Sequence, residues 1–163
     1  MSLLEFTLAV LLVAVLVVIA FERMSALQAD MERAAVRHTV AAMREALSLE
    51  FAHLAARGRL DRLGRYTGGD ALALLSPPPV GYVGERGAGT PAPGTWFYEP
   101  GGGTVAYRAR FPGAFARTPD AGGDTFRWRV VPRWRDSDGD GRYDARREPV
   151  YGLALHPLGP GGR

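Results

Sequence analysis

Residues 136–148 read Asp-Ser-Asp-Gly-Asp-Gly-Arg-Tyr-Asp-Ala-Arg-Arg-Glu, a spacing of carboxylates that could hold a divalent cation. Asp136, Asp138, Asp140 and Gly141 follow the D-x-D-x-D-G opening of a calcium loop. Alternate carboxylates converge there because the intervening residues turn outward, and the glycine permits the sharp bend. In this register Arg142 offers its carbonyl at the seventh position and Asp144 occupies the ninth. The twelfth position, where a bidentate acid is expected, is Arg147, and Glu148 comes one residue late. The ligand set expected for calcium is therefore Asp136, Asp138, Asp140, Arg142, Asp144 and Glu148. A second reading stays open. Asp-Gly is common hairpin-turn chemistry, and Arg133, Arg135, Arg142, Arg146 and Arg147 could neutralise the acids of a solvated hairpin tip without a metal.

Other chemistry is sparse. His38 and His53 lie about 22 Å apart on one helix at 1.5 Å per residue, too far to share a metal. The chain has no cysteine, which excludes disulfides, thiolate nucleophiles and Cys-ligated metals. It has no Gly-x-Ser-x-Gly, no phosphate loop and no evident triad, so no enzyme is expected. All 20 basic residues are arginine and the formal net charge is +3. The arginines are interleaved with acids along the chain instead of clustered, so no nucleic-acid partner is expected.

The remaining titratable residue of interest is Glu5, at the head of an apolar run. Residues 6–21 carry no charge and one hydroxyl. Counted from Met1 the run has 21 residues with Glu5 as its single interruption, enough for the ~20 a bilayer-spanning helix needs. No basic residue precedes Arg23, and residues 21–24 make a poor cleavage site, so a retained anchor is expected over a cleaved signal. A carboxylate at the edge of such a segment is either solvated among headgroups or paired with a cation. The nearest cation is an α-amino group, its own at Met1 or a neighbouring subunit's.

The elements that must position these residues follow from one partition. The chain has 21 glycines and 12 prolines, and none precedes Gly58. Beyond Phe21, apolar residues recur at Met24, Leu27, Met31, Ala35, Val36, Val40, Met43, Leu47, Phe51 and Leu54, one helical stripe. The pattern predicts one continuous helix over residues 3–57, stopped by Gly58, with its stripe covered by the chain's own C-terminal domain.

The order Met1-Ser2-Leu3-Leu4-Glu5-Phe6, a charge-free run and an amphipathic extension resembles the N-terminus of mature type IV pilins and type II secretion pseudopilins. Those chains begin with an apolar residue, a small hydroxyl residue, two aliphatics and Glu at the fifth position. The resemblance implies a membrane-held subunit that packs helix to helix, with itself or other pilin-like subunits, in a filament. It implies an assembly role for Glu5 and Met1, an inner-membrane location with the C-terminal domain in the periplasm, and calcium in the Asp-rich loop. It also implies a prepilin peptidase as partner if a leader exists, which would cleave and methylate the N-terminus. The proline common near position 22 is replaced by Glu22, so no kink is expected. The alternative is a bitopic membrane protein with an extracytoplasmic ligand- or partner-binding β domain that does not polymerise.

The organisation expected is a membrane and assembly half at 1–23, an amphipathic half at 24–57, a connector with a short helix at 58–94, and a small antiparallel β domain at 95–163. Asp70 is expected to cap a short helix over 71–75. Trp96–Tyr98 and Thr104–Phe111 read as a hairpin across a Gly-rich turn. Thr125–Trp134 alternates, with Pro132 marking an edge or late bulge, and Val150–Leu155 is the last strand. The class is α+β, a long N-terminal helix packed on four antiparallel strands, pilin-like in shape. Residues 84–94, 112–124 and the Pro-Gly-rich tail are expected to be irregular.

Overall fold

The computed structural model describes residues 2–87, 89–115, 123–144 and 147–159. Helix α1 runs unbroken over Leu3–Ala56, 54 residues, or about 81 Å at 1.5 Å per residue. Its first turn is closed by a capping box. The Ser2 hydroxyl accepts the Glu5 N–H at 3.3 Å, and Glu5 Oε2 accepts the Ser2 N–H at 2.7 Å. Gly58 ends the helix as expected. At φ 64° it occupies the left-handed region that glycine tolerates. Its N–H donates to the Ala55 carbonyl and that of Arg59 to Leu54, the paired bonds of a Schellman turn.

Beyond α1 the chain forms 3₁₀ segments at Leu60–Arg65, Ala71–Leu74 and Pro112–Phe115. It also forms five strands, β1 Tyr82–Glu85, β2 Thr95–Glu99, β3 Thr104–Arg108, β4 Thr125–Trp134 and β5 Val150–Leu158. They make one sheet in the order β1-β2-β3-β4-β5. The Asp70 cap is present, its Oδ1 accepting the Leu72 N–H at 2.9 Å. Pro132 lies beyond the last β3–β4 pairing, Val105 with Trp128, where that edge of β4 is open. The β4–β5 register shifts between Arg133 and Trp134, the late bulge that the proline announced.

Two expectations are corrected. The sheet has five strands, not four, and it is mixed, because β1 pairs with β2 in parallel. The connector therefore ends before Tyr82, and β1 belongs to the β domain. Part of what was expected to be irregular is also regular: residues 84 and 85 complete β1, and Pro112–Phe115 is a 3₁₀ turn. Residues 88, 116–122 and 160–163 of those same segments lie outside the described residues.

One face of the sheet packs on the distal part of α1. Val36, Val40, Met43, Leu47 and Leu54 are buried against Trp96, Val105, Trp128, Val130, Leu153 and Leu155. Each such side chain contributes roughly 1.5–3 kcal/mol on full burial. Trp96 stacks tilted on Tyr107 and Trp128, with ring centroids 4.7 and 5.5 Å away. The cover does not reach the start of the stripe. Met24, Leu27 and Met31 stand exposed at 59–64%, and every described residue before Ala29 is exposed.

Where the cover begins, Glu32 fixes it. Its carboxylate accepts the Tyr107 hydroxyl at 2.7 Å, the Arg110 N–H at 2.7 Å and the Phe111 N–H at 2.9 Å. Burial first, and then the hydrogen bond to Glu32, push the Tyr107 hydroxyl pKa well above its ordinary value of 10.0. One residue on, Arg33 Nε donates to the Ala114 carbonyl at 2.6 Å. Glu32→Ala strands three donors and is expected to lower unfolding free energy by about 2–3 kcal/mol, against about 1 kcal/mol for Tyr107→Phe. Denaturant titration of the full chain in detergent, read by tryptophan fluorescence, checks both values.

Candidate metal centre

The Asp-rich segment spans the gap between β4 and β5. Arg135 N–H donates to the Pro149 carbonyl at 3.2 Å and closes its base, so the loop hangs from two paired strands, as a β–β loop and not an EF-hand. Trp134 braces it from within the sheet, its ring 5.5 Å from that of Tyr143. The Trp134 indole Nε1 is buried with no acceptor.

Three of the expected ligands come together. Single carboxylate oxygens of Asp136, Asp138 and Glu148 all lie within 4.8 Å of one another. A calcium ion takes oxygens at about 2.3–2.6 Å, so oxygens up to about 4.8 Å apart can share one. Asp136 and Asp138 are exposed, whereas Glu148 is 4% exposed. Glu148 folds back across the loop, Oε1 accepting the Ser137 N–H at 3.1 Å and Oε2 the Asp144 N–H at 2.9 Å. Each oxygen keeps a second lone pair.

The other members of the expected set stand apart from this triad. Asp140 Oδ1 accepts the Arg142 N–H at 2.7 Å in a local turn. Asp144 gives its backbone carbonyl to the N–H groups of Arg147 and Glu148, and its carboxylate lies 3.9 Å from Arg147 Nε. The Arg142 side chain and its neighbours are exposed. The late acid, Glu148, is thus the inward one, its two oxygens held by the Ser137 and Asp144 N–H groups.

Backbone geometry holds the triad's outer half. Asp136 Oδ1 accepts the Gly139 N–H at 2.6 Å and Oδ2 the Gly141 N–H at 3.0 Å. Gly139 and Gly141 have φ of 79° and 71°, which is why glycine recurs there. The Gly139 N–H holds the Asp136 carboxyl below the usual carboxylate range, with slight burial acting the other way and Gly141 reinforcing it. Among the described arginines, Arg147 lies nearest an expected ligand, 3.9 Å from Asp144. Arg133 sits 5.1 Å over the Tyr151 ring, and among the described residues no ion pair reaches Asp136, Asp138, Asp140 or Glu148. Arg146 lies outside the described residues.

At the other end of the molecule, Glu5 is exposed and its carboxylate is engaged with its own helix cap. Met1 lies outside the described residues. The Ser-x-x-Glu signature that encodes this cap is in the sequence at Ser2 and Glu5, and reading Glu5 only as a membrane charge passes over it.

No family model matches the chain, and neither does any curated protein or any solved structure.

Because Glu148 satisfies two backbone donors, its role divides into structure and charge. Glu148→Ala is expected to destabilise the full chain by about 1–3 kcal/mol even in chelator, by stranding the Ser137 and Asp144 N–H groups. Glu148→Gln, which keeps an acceptor, should lose about half as much. Thermal unfolding with and without chelator measures both.

Proposed function

We propose that the chain is a structural subunit of a type IV pilus-like or type II secretion pseudopilus filament, held in the inner membrane before assembly with its C-terminal domain in the periplasm. The observation that carries this reading is the division of α1. One unbroken helix, long and apolar enough to cross a bilayer, is bare from its Ser2-Leu3-Leu4-Glu5 start to Gln28 and roofed by a sheet from Glu32 onward. A bare apolar half has to be covered by lipid or by other helices, and a filament of such subunits exchanges the first cover for the second.

Within that reading Glu5 neutralises the α-amino group of a neighbouring subunit. Its Oε2 holds the Ser2 cap, and Oε1 remains to receive a cation. A buried pair is favoured because either charge alone is worse, so it sets register more than it adds stability. Glu5→Gln keeps an oxygen for the cap and removes the charge. Both Glu5→Gln and Glu5→Ala are expected to abolish incorporation into filaments while leaving membrane insertion and the folded domain intact. Normal amounts of both variants in sheared filament fractions would sink the role.

We also propose that Asp136, Asp138 and Glu148 hold calcium. The support is a carboxylate that is 4% exposed with no cationic side chain against it among the described residues, beside two more acids. A hard divalent cation supplies the positive charge that lets these oxygens sit together; it stabilises the loop and catalyses nothing. At calcium concentrations 100-fold above Kd the full chain should gain about 2.7 kcal/mol, a rise in Tm of about 5–10 °C. The double variant Asp136→Asn, Glu148→Gln should show no gain. Absence of both heat and thermal shift in millimolar calcium rules the site out.

One observation favours the non-polymerising alternative. A groove of about 1060 Å³ opens between α1, the Pro77-Pro78-Pro79 segment and Phe111, as large as a small-molecule site. Chains that remain dispersed in the membrane and never enter filament fractions would support it.

A further inference from the structure

The distal end of α1 gathers a set of charges that neither the filament reading nor the calcium loop uses. Arg57 caps the helix, and the Schellman turn through Gly58 sends the chain back beside the last turns of α1. There the 3₁₀ segment Leu60–Arg65 docks through buried Leu63. A 3₁₀ helix repeats every three residues with a rise of about 2.0 Å. Arg59, Arg62 and Arg65 therefore share one face, at steps of about 6 Å, while Leu60 and Leu63 share another.

Arg57, Arg59, Arg62 and Arg65 line one cavity of about 170 Å³, and Glu50 is the acid among its lining residues. Glu50 is already engaged, its Oε1 accepting the Tyr66 hydroxyl at 2.6 Å. Among the described residues, none of the four guanidinium groups takes part in an ion pair or a hydrogen bond. The negative end of the α1 dipole eases this crowding only within its last turn, by at most about 1 kcal/mol per cation at an exposed site. Four arginines lining one small cavity are like charges, and their repulsion is screened only over about 8 Å at physiological salt.

We propose that this cavity binds a phosphate group. A tetrahedral phosphate presents several oxygen edges and can accept forked pairs of N–H bonds from several arginines at once, whereas a carboxylate presents one edge. The ligand comes from solution: Arg57 lies about 54 Å along the helix from Phe21, where the apolar run ends, so headgroups of the membrane that holds α1 are out of reach. The site is independent of whether the chain polymerises.

The test is titration of pyrophosphate and of inorganic phosphate into the full chain in neutral detergent and low-salt, phosphate-free buffer, followed by calorimetry. Saturable one-to-one binding is expected, weakened about 10-fold by Arg62→Gln and by Arg65→Gln. Arg62→Lys, which keeps charge but loses the fork, should fall between wild type and Arg62→Gln. Arg44→Gln, on α1 away from the cavity, should bind as wild type does. Unchanged thermal unfolding shows that each variant is folded. No saturable binding of either anion at about 10 mM overturns the proposal. So does an Arg44→Gln loss equal to that of Arg62→Gln. Binding of a single-stranded oligonucleotide without binding of either anion also overturns it, assigning the arginine ladder to a nucleic-acid track.

Discussion

The carboxylate of Glu32 sets the relation between the two parts of this molecule. A helix of 54 residues offers a sheet many equivalent places to pack, because its apolar stripe repeats every turn from Met24 to Leu54. Apolar packing alone has no strong preference for one register along such a stripe. Three hydrogen bonds from Tyr107, Arg110 and Phe111 to one side chain remove that freedom, and Arg33 at the Ala114 carbonyl repeats the constraint one residue on. The sheet is thereby fixed over Val36–Leu54, and Met24, Leu27 and Met31 are left outside it. The far end of the contact is set by different means, the Schellman turn at Gly58 and the bond from Tyr66 to Glu50. Between these two points the helix and sheet have no room to slide.

How much of this was legible depended on whether the physics was local. The helix was, end to end, because absence of breakers, a period of three to four and a terminal glycine are all local signals. The hairpin of β2 and β3 and the alternation of β4 were legible for the same reason. Strand β1 was not. It has four residues with Gly84 among them, and its parallel partner β2 begins ten residues later in the chain. Nothing in four residues announces a non-local parallel pairing. Glu32 carries no sequence signal either, since a glutamate at the border of an apolar stripe looks like any solvated one.

The candidate metal site shows the same division at finer grain. The D-x-D-x-D-G spacing located the loop, and the glycines with positive φ explain why it turns where it does. Which acids converge was not readable. Asp136, Asp138 and Asp140 all accept local backbone N–H groups, yet only the first two converge with Glu148, whose carboxylate reaches back to the Ser137 and Asp144 N–H groups. Side chains of this kind bond to nearby backbone groups in several local patterns, and the spacing alone does not say which of them leaves the acids together. The arginines make the converse point. Read along the chain they alternate with acids. The reversal at Gly58 and the three-residue repeat after it sort Arg57, Arg59, Arg62 and Arg65 into one group.

The exposed half of α1 is what the fold leaves unresolved energetically, and this gives the assembly reading its force. Leu3, Leu4, Phe6, Leu8, Leu11, Leu12 and Phe21 are each at least 60% exposed, and no part of the sheet lies over them. At roughly 1.5–3 kcal/mol per large apolar side chain, covering these seven is worth about 10–20 kcal/mol, as much as the net stability of a typical domain. Residues up to about Phe21 therefore gain most from an apolar cover, and lipid or neighbouring helices can each supply one. Lipid accepts the apolar residues but resists Glu5, whose charge is costly anywhere but the headgroup layer. A neighbouring helix that brings a cation accepts both. Met24, Leu27 and Met31 extend the bare stripe beyond the apolar run, toward the edge of the sheet cover at Glu32. Lipid hydrocarbon that ends near Phe21 leaves these three uncovered, whereas a packed helix of equal length covers them as well.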